Sequence, residues 1–187
     1  MITKQDIANV FHKHKTDKGY EHGYYHMYSH VFTNIGIPER LLEVGIFYGR
    51  SIAAWKDLFP LCEVVGLDTK ERDVTPLALR NKLLYHDSTE PTITEVVGDG
   101  YDIIIDDGSH DMTDQWLTFL NLEHCWTKAY VIEDVEGKML EKNLRHRLRK
   151  RGYKIINTYD SLLKNVKLTK RDPERAPFDY CAMVIYK

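Results

Sequence analysis

Five short apolar runs, each carrying or closing on an acidic residue, constrain this chain more than any other feature. Leu41 to Val44 contains Glu43 and runs into Gly45. Glu63 to Leu67 closes on Asp68, and Lys82 to Tyr85 closes on His86 and Asp87. Tyr101 to Ile105 closes on Asp106 and Asp107, and Ala129 to Ile132 closes on Glu133 and Asp134. Apolar runs this short, bounded by turn residues, read as buried strands. Helical sequence lies between them: Ser51 to Phe59, stopped by Pro60; Ile93 to Val97; and a segment marked by Met112, Trp116, Phe119 and Leu120. Strands alternating with helices predict a parallel sheet covered on both faces, with right-handed crossovers.

The flanks follow other patterns. Residues 4–14 read as a helix with Thr3 as N-cap and Ile7, Val10 and Phe11 on one face. Residues 24–34 read as a second, with Tyr24, Tyr28, Val31 and Phe32 in step, ending at Gly36. After the fifth strand come a basic helix and two further strands, Tyr153–Ile156 and Tyr180–Tyr186. These last two have no clear amphipathic helix between them and can pair antiparallel at one edge. The whole is expected to be one domain over 1–187, with 1–38 a helical lid segment and 39–187 the core. No repeat or linker divides the 187 residues, and a composition 43% hydrophobic and 29% charged suits a packed globule rather than a disordered chain.

The first residues, Met1-Ile-Thr-Lys-Gln-Asp6, carry no apolar stretch, and nowhere is there a run of about 18 apolar residues. No secretory signal or membrane span is expected, and the location is expected to be cytoplasmic. Cys62, Cys125 and Cys181 are odd in number and fit neither a disulfide framework nor a zinc site. They read as buried, reduced thiols, Cys62 and Cys181 in strands and Cys125 in a helix. From Lys138 to Arg175 there are 13 basic and 4 acidic residues, although the chain as a whole carries −2. Leu140, Leu144 and Leu148 form a stripe, so the favoured reading is a core-packed helix with its basic residues outward. A surface for nucleic acid or an anionic substrate is the alternative.

In an open α/β sheet, ligands bind beyond the carboxyl ends of the strands, where the acids of this chain collect. The first turn, Glu43-Val-Gly45-Ile-Phe-Tyr48-Gly49-Arg-Ser51, is not the G-x-G-x-x-G of a dinucleotide site and contains bulky Phe47 and Tyr48. A ligand without a pyrophosphate suits it better. Asp68, at the end of the next strand, can accept ribose hydroxyl protons. Ribose without pyrophosphate points to an adenosyl ligand such as S-adenosylmethionine.

Asp106, Asp107, Glu133 and Asp134 form a second group, on strands expected to be neighbours roughly 4.8 Å apart. Four carboxylates so placed need a cation, a proton or hydrogen bonds, and a hard divalent ion such as Mg²⁺ is the economical answer. Capping of helices by these acids is the alternative. Successive strand residues face opposite ways, so only some of the four can serve one ion. His110, three residues beyond Asp107, is the natural general base. A third cluster, Thr16-Asp17-Lys18-Gly19 with His22, Tyr24, Tyr25, His26, Tyr28 and His30, reads either as a lid over the cofactor or as a packed helix whose tips reach water.

On Thr16-Asp-Lys-Gly19 with His22 and Tyr24, Leu42-Glu-Val-Gly45, Ile105-Asp-Asp-Gly-Ser-His110 and Val131-Ile-Glu-Asp134, the chain resembles the Mg²⁺-dependent O-methyltransferases of antibiotic biosynthesis, the macrolide-sugar methyltransferase and cephalosporin hydroxylase group. The resemblance spans Thr16 to about Glu136. It implies a three-layer Rossmann-like fold with a mostly parallel seven-stranded sheet and an antiparallel last strand. It implies that Glu43, Gly45, Asp68 and Asp87 line S-adenosylmethionine, and Tyr48, Ser51, Ser88 and Asp106 complete the expected contacts. It implies that Asp107, Glu133 and Asp134 hold the metal, and that His110 acts with Asp107 in catalysis. The expected acceptor is a small molecule offering a hydroxyl, a sugar or other vicinal diol. A catechol-like or peptide acceptor and a nucleic-acid-binding protein are the alternatives, and a homo-oligomer is allowed. A nicotinamide dehydrogenase is disfavoured by the missing glycine motif.

Overall fold

The computed structural model describes residues 2–135, 138–157 and 182–187. Three helices come first, α1 (Lys4–His14), α2 (Asp17–Tyr20) and α3 (Tyr25–Ile35). The alternation follows: β1 (Arg40–Val44), α4 (Arg50–Leu58), β2 (Glu63–Asp68), β3 (Lys82–Tyr85), α5 (Ile93–Val97), β4 (Tyr101–Asp106), α6 (Met112–Leu122) and β5 (Trp126–Ile132). Then come α7 (Lys138–Lys150), β6 (Lys154–Asn157) and β7 (Met183–Tyr186). A short 3₁₀ turn, Ala78–Arg80, leads into β3. Thr3 caps α1 as expected: its hydroxyl accepts the Asp6 amide while Asp6 takes the Thr3 amide in return.

The strands form one seven-stranded sheet in the order β3-β2-β1-β4-β5-β7-β6. β1 pairs in parallel with β2 and β4, β2 with β3, and β4 with β5. β7 runs antiparallel to both its neighbours, β5 and β6. The expected antiparallel pairing of the last two strands is present. β7, however, does not end the sheet; it is inserted beside β5, and β6 forms the edge. The strand order reverses between β1 and β4, and a crevice opens there beyond their carboxyl ends.

Because neighbouring side chains in a strand face opposite ways, each strand feeds two cores. Leu41, Ile103, Ile105 and Val131 meet Ile7, Phe11, Tyr28 and Trp55 on one face. Leu42, Ile104, Tyr130 and Ile132 meet Phe119, Leu122, Leu144 and Leu148 on the other. The first face is aromatic, with Phe11 edge-on to Trp55 at 5.1 Å and Tyr28 edge-on to Trp55 at 4.8 Å between ring centroids. Helices α1 and α3 pack as a layer on this face: Ile7, Phe11, Tyr28 and Val31 are fully buried.

Leu144 and Leu148 of α7 are buried, while Arg147, Arg149 and Lys150 are exposed. The rest of the basic stretch, 158–175, lies outside the described residues, as do Tyr180 and Cys181. Cys62 and Cys125 are buried and unpaired. Cys125 lies in the turn after α6 rather than in a helix, and Cys62 just ahead of β2, where burial pushes its thiol up to about 12. No helix among the described residues is long and apolar enough to cross a membrane.

Candidate active site

At the ends of β1, β2 and β3 the sequence builds its loops from glycine and from aspartates that accept backbone amides. Gly45 has φ +90°, and a Cβ there would stand 1.9 Å from the Asp107 carbonyl oxygen. Only glycine lets the β1 and β4 loops touch at the switch point. Asp68 Oδ2 accepts the amides of Ile46 at 3.0 Å and Phe47 at 3.1 Å, which pins this turn to β2. Gly49, at φ +69°, opens α4, where a Cβ would meet that of Ala78 at 2.5 Å. Asp87 accepts the amide and hydroxyl of Thr89 at 2.8 and 2.7 Å, and Ser88 Oγ lies 2.7 Å from Thr118 Oγ1.

At the ends of β4 and β5, Asp106, Glu133 and Asp134 are buried and Asp107 is half-buried, and Asp107, Glu133 and Asp134 find partners far away in the chain. Lys18 is 1% exposed, and its ammonium lies 2.5 Å from Asp107 Oδ2, 2.6 Å from Glu133 Oε2 and 3.4 Å from Glu43 Oε1. Tyr28 donates its hydroxyl to Glu133 Oε1, and Tyr24 donates to Asp134 Oδ1 at 2.5 Å. Burial opposes the Lys18 charge, but Asp107, Glu133 and Glu43 outweigh it and hold its pKa well above the ordinary lysine value. Burial lifts Glu133 well above the usual carboxylate range, against the pull of Lys18, and lifts Glu43 to about 7. Asp106 is also raised to about 7 by burial, although the Gly108 amide and the Tyr130 hydroxyl donate to it at 3.4 and 3.3 Å.

Asp134 has φ +49°, a left-handed conformation rare outside glycine, with Tyr24 on one carboxylate oxygen. That turn brings its other oxygen, Oδ2, to 3.5 Å from His110 Nε2. One ligand atom from each of Asp107, His110 and Asp134 falls within 4.8 Å of the others. The two carboxylates can serve a divalent cation as hard oxygen donors, and His110 Nε2 stands beside them, facing Asp134.

A cavity of about 950 Å³ joins the two halves of the edge. Of the residues expected at the site, Gly45, Tyr48, Ser51, Asp68, Asp87, Ser88, Asp107, His110 and Asp134 line it. Glu43, Asp106 and Glu133 are buried outside the lining set. Thr16, Asp17 and His22 of the N-terminal segment line it too. The tips of Tyr24 and Tyr28 reach acids of the site rather than water.

Lys18 was not assigned a role from the sequence, although it stands inside the quoted Thr16-Asp-Lys-Gly19. The available signal was the unbalanced charge of the acidic strand ends, which requires a cation from somewhere in the chain.

No protein-family model matches the chain, and no curated protein sequence matches it significantly. Solved structures do. MycE methyltransferase from the mycinamycin biosynthetic pathway, in complex with Mg, SAH and mycinamycin VI, is 27% identical with a TM-score of 0.61 over 69% of this chain and 39% of that one. The chain has the Rossmann-like methyltransferase fold. MycE with Mg and SAH alone aligns over 97% of this chain and 54% of that one, at 21% identity and a TM-score of 0.68. The Methanococcus jannaschii fibrillarin pre-rRNA processing protein aligns over 82% of this chain and 68% of that one, at 14% identity and a TM-score of 0.56. The chain spans about half the length or less of the MycE chains it matches.

Proposed function

We propose that this chain transfers the methyl group of S-adenosylmethionine to a hydroxyl of a small molecule, a sugar or other vicinal diol, with assistance from a divalent cation. The observation that carries the reading is the shared cavity. It joins the Gly45 turn, Asp68 and Asp87 on one side to Asp107, His110 and Asp134 on the other. The likeness to MycE, solved with Mg and SAH, supports both the donor and the ion.

In this reading the β1–β3 half binds the donor: Asp68 accepts from the ribose, and Asp87 and Ser88 frame the base. The acceptor oxygen attacks the methyl carbon, the carbon–sulfur bond breaks with its electron pair left on sulfur, and the hydroxyl proton passes to His110 Nε2. Asp134, 3.5 Å from that nitrogen, stabilises the imidazolium that forms. Asp107 and Asp134 would hold the cation, which when bound supplies Lewis acidity toward the acceptor's hydroxyl. The chain's own contribution is orientation and preset charge.

The test is calorimetric titration with S-adenosylmethionine and S-adenosylhomocysteine, with and without Mg²⁺, followed by methyl transfer to sugar and catechol diols. Binding of both compounds with turnover on a diol is expected, and binding of neither would sink the reading. A second reading, nucleic-acid binding, draws on the exposed Arg147, Arg149 and Lys150 of α7. Binding to RNA or DNA that weakens steeply with salt is its signature.

A further inference from the structure

Helix α6 starts just past His110 and passes the end of β5. Asp111 caps it by accepting the amides of Thr113 at 2.7 Å and Asp114 at 3.4 Å, and Ser109 donates its hydroxyl to Asp114 Oδ2 at 2.7 Å. The residues on either side of His110 are thus fixed to the first turn of α6. One turn on, Gln115 is 2% exposed, and its Nε2 lies 3.1 Å from the Glu133 carbonyl oxygen and 3.5 Å from that of Asp134. Carbonyl oxygens only accept, so the amide must present its NH₂ group to β5. Its Oε1 is buried with no hydrogen-bond partner among the described residues. An amide buried with one end unpaired costs stability, and an apolar side chain of the same shape would avoid that cost. What the apolar side chain could not do is hold the turn in which Asp134 stands at φ +49°.

We propose that Gln115 is a positioning residue that ties the end of β5 to α6 and so sets His110 and Asp134 at their working separation. His110 is carried by the segment pinned to the first turn of α6, and Asp134 by the turn that Gln115 holds, so one helix spans both. The hydrogen bonds from Gln115 go to main-chain oxygens alone, and the tie takes up no carboxylate oxygen of Glu133 or Asp134. Without the amide, the two carbonyls lose this donor and Asp134 can relax to negative φ. That change swings its carboxylate away from His110 Nε2, which it faces at 3.5 Å. A shift of about 1 Å in a group that acts on the reacting atoms can lower a rate by about 10²-fold. The inference rests on the reading above for the role of His110, and not for the position of any ion.

The experiment measures kcat, the KM of donor and acceptor, and S-adenosylhomocysteine affinity for the full chain and for Gln115→Met, Gln115→Asn, His110→Ala and the double variant H110A/Q115M. Crystal structures of the parent chain and Q115M accompany the kinetics. Met keeps the bulk without the donor, and Asn keeps the amide one methylene too short to reach. Both variants are expected to lower kcat by about 10–10²-fold, while the KM values and S-adenosylhomocysteine affinity stay within about twofold. In the H110A background Q115M should add less than about twofold, because no base is left to place. In the crystal, Asp134 of Q115M should leave the left-handed conformation. An unchanged kcat overturns the inference, and so does the same loss with and without His110. A purely structural role would lower the unfolding midpoint and leave the kcat of the folded protein unchanged. Should Q115M fail to fold, Q115N is read by the same criteria. If the parent chain turns over no acceptor, the reading above fails, and the crystal structures decide for Gln115: a moved turn at Asp134 supports the tie, and an unmoved one overturns it.

Discussion

At the ends of β2 and β3 the aspartates accept backbone amides: Asp87 from a residue two positions on, Asp68 from the neighbouring β1 loop. At the ends of β4 and β5, Asp107, Glu133 and Asp134 are held by side chains 89 to 115 residues away, Lys18, Tyr24 and Tyr28. The first arrangement uses groups that any loop supplies and leaves the carboxylates facing the cavity. The second needs a particular cation and particular hydroxyls, with Asp107 and Asp134 still on the cavity wall. In the proposed reaction the contrast is a division of labour, with donor binding in the half built locally and proton and charge handling in the half built at long range.

The halves meet at Gly45, and the largest effect is expected there. Gly45→Ala would force a Cβ to 1.9 Å from the Asp107 carbonyl. Denaturant unfolding should show a loss of about 3 kcal/mol or more, and binding of S-adenosylhomocysteine and Mn²⁺ should fail together. Unchanged stability would mean that the two loops separate freely. His110→Ala should lower turnover by about 10²–10⁴-fold while leaving S-adenosylhomocysteine affinity nearly unchanged. Surviving turnover would place the base elsewhere.

Glu43 allows the buried half to be read through pH. Burial holds its carboxyl at about 7 in the fold against an ordinary 4.5. A carboxyl raised in this way contributes stability that is fully present below the unfolded pKa and lost as pH rises through the folded one. Glu43→Gln is neutral throughout. It should therefore gain on the parent chain between about pH 4.5 and pH 7, by about 3 kcal/mol at most. A flat difference across that window would show that Glu43 ionises freely in the fold. The smallest effect belongs to the other half: Asp68→Ala should weaken S-adenosylhomocysteine by about tenfold and leave Mn²⁺ binding alone. Loss of Mn²⁺ binding in that variant would break the division between the halves.

The same contrast explains what could be read in the chain beforehand. The strands β1 to β5, the helices α1 and α3, the Thr3 cap and the polar edge follow from periodicity and turn residues, which are local signals. That Asp68, Asp87, Asp107, His110 and Asp134 share one edge of the sheet was legible because strand ends announce themselves, and all five line the cavity. The environment of Glu133 was not, because its partners Lys18 and Tyr28 are placed by tertiary packing of a segment more than a hundred residues earlier. The position of β7 was hidden for the same reason. Antiparallel pairing with β6 satisfies the pattern equally well with β7 at the edge or inside, and only the packing against β5 decides.

The insertion of β7 also bears on how each molecule is made. β5 carries Glu133 and Asp134 at its end, and β7, its partner on the side away from β4, is the last of the described strands to leave the ribosome. Until then β5 presents an open edge, the kind of strand that captures a neighbouring chain. The segment bearing Lys18, Tyr24 and Tyr28 has by that time long been synthesised. The acids at the end of β5 are thus met by a segment that precedes them in the chain, and its flank is closed by one that follows, so charge balance and sheet closure draw on opposite sides of the sequence.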